Sequence, residues 1–247
     1  MGPSGPRRFV LGALAVLAAL SAFGASAGAG ALRVTPIRVE VQAGKQFCSL
    51  SIANDGDQPV SVQVRGYRWS KDERGADVLE TAVGFQINPT IVTLKAQESR
   101  LIRCSLPPAE GAIEQTWRLV FDELLTPVSV TVPGEIRALL RISVPVFRAP
   151  DGASPDISWT LVRTPEGGQS VVLTNSGSRH IRAISLELKP SSGAGQRVER
   201  GFYLLAGGRF EIPVALSQAS PIAEVLIQTD EGSITPSRAA VSAGPGQ

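Results

Sequence analysis

Histidine is almost missing from this 247-residue chain: His180 is the only one. Cysteine is nearly as scarce, with Cys48 and Cys104 alone. Zinc sites need closely spaced cysteine and histidine ligands, and these three residues lie far from any such spacing. A Ser-His-Asp triad would have to rest on His180, whose neighbours "NSGSR" lack the flanks of a nucleophile elbow. No glycine loop runs into a helix to cradle phosphate. Asp122 and Glu123 are adjacent, but neighbours on a strand point to opposite faces and make no acid/base pair. Aromatics are 5% of the residues, which leaves little surface for stacking sugars. No metal and no cofactor is expected, and no enzymatic activity.

Excess charge is missing as well. The formal net charge is +2, from 24 basic and 22 acidic residues. Arg7 and Arg8 account for that surplus, and the remaining chain is balanced at 22 of each. A balanced body has no electrostatic reason to seek nucleic acid or an anionic membrane.

Those two arginines open a leader. "FVLGALAVLAALSAF" (Phe9–Phe23) is an apolar h-region, and "ASAGAGA" supplies small residues for cleavage after Ala27, Ala29 or Ala31. The apolar run falls short of the ~20 residues that cross a bilayer. Residues 1–29 are therefore expected to be a secretory signal peptide, and the pair of arginines before Phe9 faintly suggests the twin-arginine route. No later segment is apolar enough to span, so the mature protein is expected to be soluble, exported and not inserted in a membrane.

Beyond the leader the chain is a succession of short alternating segments. "LRVTPIRVEV" (Leu32–Val41), "FCSLSIAN" (Phe47–Asn54), "PVSVQVRGYRW" (Pro59–Trp69), "INPTIVTL", "SRLIRCSL" and "QTWRLVFDEL" read as strands separated by turn residues. Only "DVLETAVGF" (Asp77–Phe85) has modest helical periodicity. The pattern predicts an all-β fold of antiparallel sandwiches. "RAPDGASPD" (Arg148–Asp156) interrupts it with two prolines and a glycine, which predicts a boundary between a first domain over 32–148 and a second over 152–241. "LSIANDGDQPVSVQV" in the first half is echoed by "VVLTNSGSRHIRAISL" in the second. Asn54 and Asn175 are expected to hold turns there, and Trp69 and Trp117 to pack the first core. The final residues "SAGPGQ" are expected to fray.

Cys48 shares a strand face with Leu50 and Ile52, and Cys104 with Ile102 and Leu106. If their strands are antiparallel neighbours, the two sulfurs meet. Export permits a Cys48–Cys104 disulfide; two buried thiols are the alternative.

"GEIRALLRISVPVF" (Gly134–Phe147) poses the functional question. Ile136, Ala138, Leu140, Ile142 and Val144 occupy alternate positions. Alternation alone does not say whether this row faces its own core or a partner.

The order of these segments resembles the periplasmic chaperones of the chaperone–usher pilus pathway, the PapD-like family, and within it the archaic branch. The resemblance rests on "VTPIRVEV", "LSIANDGDQPVSVQVRGYRW", "NPTIVTLKAQESRLIR", "RLVFDEL", "RISVPVFRAP" and "ISWTL…VVLTNSG…HIRAISL…YLLAGG". It implies two immunoglobulin-like β-sandwich domains set at an angle. It implies a chaperone that lends a strand to an incomplete pilus subunit and delivers it to an outer-membrane usher. The donated row would be Ile136, Ala138 and Leu140, with Ile142 extending it. The family anchors the subunit's C-terminal carboxylate on two basic residues. Arg38 matches the first. The lysine late in the last strand has no match, and Arg141 or Arg103 is the expected substitute. A two-domain exported structural or adhesive surface protein is the alternative reading.

Overall fold

In a computed structural model the described residues are 32–72, 74–125, 138–165, 167–215 and 221–239. The expected leader, the tail "SAGPGQ" and Ile136 lie outside them. Every regular element among the described residues is a strand.

Among the described residues ten strands precede residue 149: β1 (Leu32–Thr35), β2 (Val39–Val41), β3 (Phe47–Asn54), β4 (Val60–Lys71), β5 (Asp77–Thr81), β6 (Gln86–Asn88), β7 (Ile91–Leu94), β8 (Ser99–Ser105), β9 (Gln115–Leu124) and β10 (Arg141–Arg148). They form two sheets, one in the order β1-β3-β8-β6 and the other in the order β2-β10-β9-β4-β5, with β7 also on β4. The inner faces enclose one core that includes Leu50, Ile52, Val62, Ile102, Trp117, Phe121 and Val146. Each large aliphatic side chain buried there contributes about 1.5–3 kcal/mol. The first strand changes sheet at Pro36–Arg38, between β1 and β2, where proline leaves no N–H unpaired.

Asp77–Thr81 is a strand, not the helix its periodicity suggests. It pairs antiparallel with β4, Trp69 opposite Leu79. A five-residue segment beside a twelve-residue strand gains a hydrogen-bonded ladder, and that outweighs a weak helical tendency. At Gly66 on β4, an added Cβ would lie 2.6 Å from the Phe85 ring, so the close passage of that ring requires glycine.

The described residues of the second half form nine strands: β11 (Ile157–Arg163), β12 (Gln169–Asn175), β13 (Ile181–Pro190), β14 (Gln196–Val198), β15 (Phe202–Leu204), β16 (Arg209–Pro213), β17 (Ile222–Thr229), β18 (Gly232–Ile234) and β19 (Ser237–Arg238). Their sheets run β16-β12-β11-β19 and β14-β13-β17-β18, with β15 on β13. Among the described residues, no strand before residue 149 pairs with one after it. The fold is thus two immunoglobulin-like sandwiches in series.

The two halves repeat one turn. Asn54 Nδ2 donates to the Gln58 carbonyl, and Gly56 N–H to Asn54 Oδ1. Asn175 Nδ2 donates to the Arg179 carbonyl, and Gly177 N–H to Asn175 Oδ1. Both asparagines are buried, so their amides replace backbone partners that water would otherwise supply.

Cys48 and Cys104 stand directly opposite on β3 and β8 and form a disulfide with Cα atoms 4.9 Å apart. The bond closes a loop with a sequence separation of 56. Replacing both cysteines by alanine is expected to lower unfolding free energy by about 2–4 kcal/mol. Denaturant titration of the oxidised protein against the double variant measures it, and equal midpoints would refute it.

Candidate functional site

Strand β10 is used on both faces. Ile142, Val144 and Val146 point into the first core. On the other face, Ser143 and Pro145 line a cleft and Phe147 is fully buried. Phe147 belongs to a small third core with Trp69 and Leu205, against which Tyr203 packs. The rings of Trp69 and Tyr203 meet edge-on at 5.4 Å, and Phe147 stacks on His180 at 3.7 Å. Trp69 therefore packs between the sandwiches, which corrects its expected place inside the first core. Trp117 does lie in the first core.

Polar groups complete this junction. Glu114, in the segment before β9, accepts from the His180 backbone N–H at 3.0 Å and lies 2.7 Å from His180 Nδ1. The Glu114 N–H donates to the Ser178 carbonyl. His180 is thus a buried joint between the two sandwiches, held by Glu114 on one side and stacked on Phe147. Thr116 Oγ1 donates to the Trp69 carbonyl at 2.5 Å. At the tip of the β4–β5 hairpin, Gly75 sits against the Phe210 ring of β16.

The edges of β10 are unequal. β9 pairs with its whole length, from Arg141 opposite Asp122 to Arg148 opposite Gln115. On the other edge, β2 pairs only with Val146–Arg148. Among the described residues no strand covers that edge at Arg141–Pro145. The ladder to β9 continues to Leu140, whose carbonyl accepts from the Glu123 N–H. Antiparallel alternation then aims the N–H and C=O of Arg141 and Ser143 away from β9. Pro145 falls on the same outward set, where its missing N–H costs no ladder bond.

The apolar row leaves its own core along this strand. Val144 and Val146 are sealed, Ile142 and Leu140 are half-buried, and Ala138 is exposed. Leu139 (43% exposed) and Leu125 (71% exposed) stand nearby in sequence and in the paired strand's extension.

Beside this edge lies a cavity of about 390 Å³ lined by Pro36, Ile37, Arg38, Arg118, Ser143, Pro145, Arg182 and Tyr203. Its lining carries three guanidinium groups and no carboxylate. Arg38, at the β1–β2 crossing, bonds Asp230 of the second sandwich through Nη1, and its Nε lies 3.3 Å from Glu40. Burial works against the Arg38 charge, yet Asp230 and Glu40 outweigh it and hold the group more basic than usual. Arg118 lies over the Trp69 ring at 3.7 Å and has Asp77 at 3.6 Å. Burial lowers its pKa, only partly opposed by Asp77, so its positive charge is under-compensated where it meets the cavity.

Of the expected anchors, Arg38 lines the cavity and Arg141 does not. Arg141 bonds Asp122, which also accepts from Arg65 at 2.5 Å. Arg103, on β8 opposite Ser49, is in the other sheet. Sequence reasoning misses Arg118. Its signal is a charge set between buried neighbours in "TWRLVF", the part of β9 otherwise buried on both faces.

Compared with family models, residues 31–154 match the one described as "Pili and flagellar-assembly chaperone, PapD N-terminal domain". The sequence matches none of the curated proteins. Among solved structures, the chain is similar to the CsuC–CsuE chaperone–tip adhesion subunit complex from archaic Csu pili of Acinetobacter baumannii. That likeness has 19% identity and a TM-score of 0.68, over 85% of this chain and 99% of that one. It is similar to the YadV chaperone at 15% identity and TM-score 0.61, covering 83% and 97%. It is similar to the complex of Salmonella enterica SafA pilin with the SafB chaperone at 16% and 0.54, covering 81% and 91%. At these identities the likeness shows a shared fold.

Asp122 ties β4, β9 and β10 together at the open edge. Burial pushes its carboxyl up, but the Arg65 and Arg141 bonds outweigh burial and hold it below its ordinary value. Such a depressed group contributes stability that is present above its unfolded pKa of about 3.9 and is lost as pH falls through the folded value. Asp122→Asn is expected to cost about 1 kcal/mol at pH 7, both partners being partly exposed, and to show a shallower loss of stability below about pH 4. Denaturant midpoints from pH 7 to pH 2.5 test this; parallel curves for the two proteins would contradict it.

Proposed function

The chain belongs to the pili and flagellar-assembly chaperone family with the PapD N-terminal domain, and from that premise we propose that it binds an exported pilus-type subunit by lending β10 as an extra strand. The observation that carries the reading is the half-open edge of β10. Backbone groups of Arg141 and Ser143 face outward there, while the Ala138–Leu140 row runs off its own core. A subunit with an unfinished sandwich needs backbone partners along one edge and apolar side chains at alternate positions. The edge supplies the first in a sequence-tolerant way. Leu140 and Ala138, with Ile136 beyond the described residues, would supply the second. Ile142 is partly engaged by its own core and would extend the row only by leaving it.

The three-arginine cavity fits a carboxylate at the end of the bound segment. Arg38 and Arg118 are the proposed anchors, in place of the Arg38–Arg141 pair expected from sequence. A guanidinium pairs with carboxylate through two parallel hydrogen bonds, which fixes where the docked strand ends and so its register. The aromatic junction holds the sandwiches so that both arginines meet one cavity.

Family membership supports the rest of the proposal. The protein works in the periplasm after removal of residues 1–29, with domains over 32–148 and 152–241. It hands its subunit to an outer-membrane usher, and strand exchange drives release. It performs no catalysis, needs no cofactor or metal, binds no nucleic acid and does not insert in the membrane. The solved archaic Csu complex, which pairs a chaperone with a tip subunit, supports placement in the archaic branch.

Co-expression with candidate subunits, followed by isolation of the tagged chain, tests the proposal. A one-to-one complex is expected. Leu140→Glu should abolish it by placing a charge in an apolar groove, and Arg38→Ala or Arg118→Ala should weaken it about tenfold or more. A protein that retains every partner after Leu140→Glu acts through some other surface, as the structural or adhesive alternative would.

A further inference from the structure

Arg38 already holds a carboxylate. Its Nη1 bonds Asp230, in the turn between β17 and β18 of the second sandwich, and its Nε is next to Glu40. A guanidinium takes a carboxylate bidentately along one edge, and each such edge uses two of its three nitrogens. Nη1 bonds Asp230 and Nε lies 3.3 Å from Glu40, so each edge of Arg38 has a carboxylate at one of its nitrogens. A carboxylate entering the cavity to bind in that mode competes with one of these acids for its nitrogen.

We propose that Asp230 is an internal placeholder that occupies Arg38 in the empty cleft and is displaced by the partner's carboxylate. The inference rests on the anchoring role assigned to Arg38 above. Asp230 is the group that gives way because it has another cation at hand. It lines a second cavity together with Arg182, which also lines the anchoring cavity. Arg182 forms no ion pair with a described residue. Asp230 thus shares a cavity with a second guanidinium that can receive it when it leaves Arg38, whereas Glu40 has only Arg38 within ion-pair distance among the described residues.

The exchange makes Asp230 a specificity residue. A neutral chain end, such as an amide or a passing loop, offers Arg38 nothing stronger than the carboxylate it holds and is excluded. A charged end matches Asp230 in kind and adds the under-compensated charge of Arg118. The same exchange breaks a tie between the two sandwiches when the cleft fills, because Arg38 and Asp230 belong to different ones.

The test uses the mature chain with acetate as the carboxylate probe and acetamide as the neutral one. Side-chain nitrogen NMR of Arg38 and carboxyl-carbon NMR of Asp230 and Glu40 are the readouts. In the native protein, acetate is expected to move the Arg38 and Asp230 signals together, with acetamide inert. Asp230→Asn should bind acetate about three- to tenfold more tightly, the scale of removing one partly exposed ion-pair competitor. Asp230→Ser serves as a second variant, and the native-protein signals decide the matter even if neither variant folds. Movement of Glu40 in place of Asp230, or equal acetate affinity in native and variant proteins, overturns the proposal. If instead Asp230 responds as expected but Arg38→Ala still captures its subunit fully, the anchoring role fails while the competition stands.

Discussion

The structure depends on how unequally β10 is held. Along Val146–Arg148 it is clamped between β9 and β2, with Phe147 sealed beneath the second sandwich. From Arg141 to Pro145 it keeps β9 alone, and its other edge has no strand among the described residues. A strand fixed at one end and open at the other is preorganised. Its backbone direction and pleat are set before any partner arrives, so association does not bear the full entropy of ordering it. An open edge is ordinarily an aggregation hazard. Here Pro145, which offers no outward N–H, and the charged Arg141 limit casual pairing.

The sheet containing β4, β9 and β10 carries the connection between the two sandwiches. Its inner face is ordinary core. Its outer face carries Trp69, Thr116, Arg118 and Phe147, and the second sandwich covers it at one end only. That partial cover creates the cleft. Where the cover is complete, aromatic rings and the Glu114–His180 pair are dry. Where it ends, Arg118 emerges from its stack on Trp69 into the cavity shared with Arg38 and Arg182. The arginine positions are thus consequences of interdomain packing, and a substitution in the aromatic junction would disturb the cleft without touching it.

Much of this is legible in the sequence, for physical reasons that also mark the limits. Period-two alternation reveals the strands and the β-sandwich class, because one face of each strand is apolar. The face-sharing of Cys48 with Leu50 and of Cys104 with Ile102 points to the disulfide. Asn54 and Asn175 announce their turns. Asp77–Thr81 misleads because a short segment's own tendency yields to the ladder that β4 offers it. Trp69 reads as part of the first core because no local pattern reveals that a distant domain covers a strand's outer face. Arg118 escapes notice for the same reason, since its role comes from the stacking of Trp69 and Tyr203 around it. Pro145 inside an otherwise good strand pattern is a readable sign of an unpaired edge.

The central claim is that the outward backbone of β10 at Arg141 and Ser143 is unpaired until a partner strand arrives. Residue-resolved amide hydrogen exchange measures this directly, on the protein alone and then in complex with its subunit. The account predicts rapid exchange at Arg141 and Ser143 beside slow exchange at Ile142 and Val144 in the free protein, with strong protection of the first pair on binding. Equal protection at all four positions before any partner is added, or no change at Arg141 and Ser143 in the complex, would contradict it.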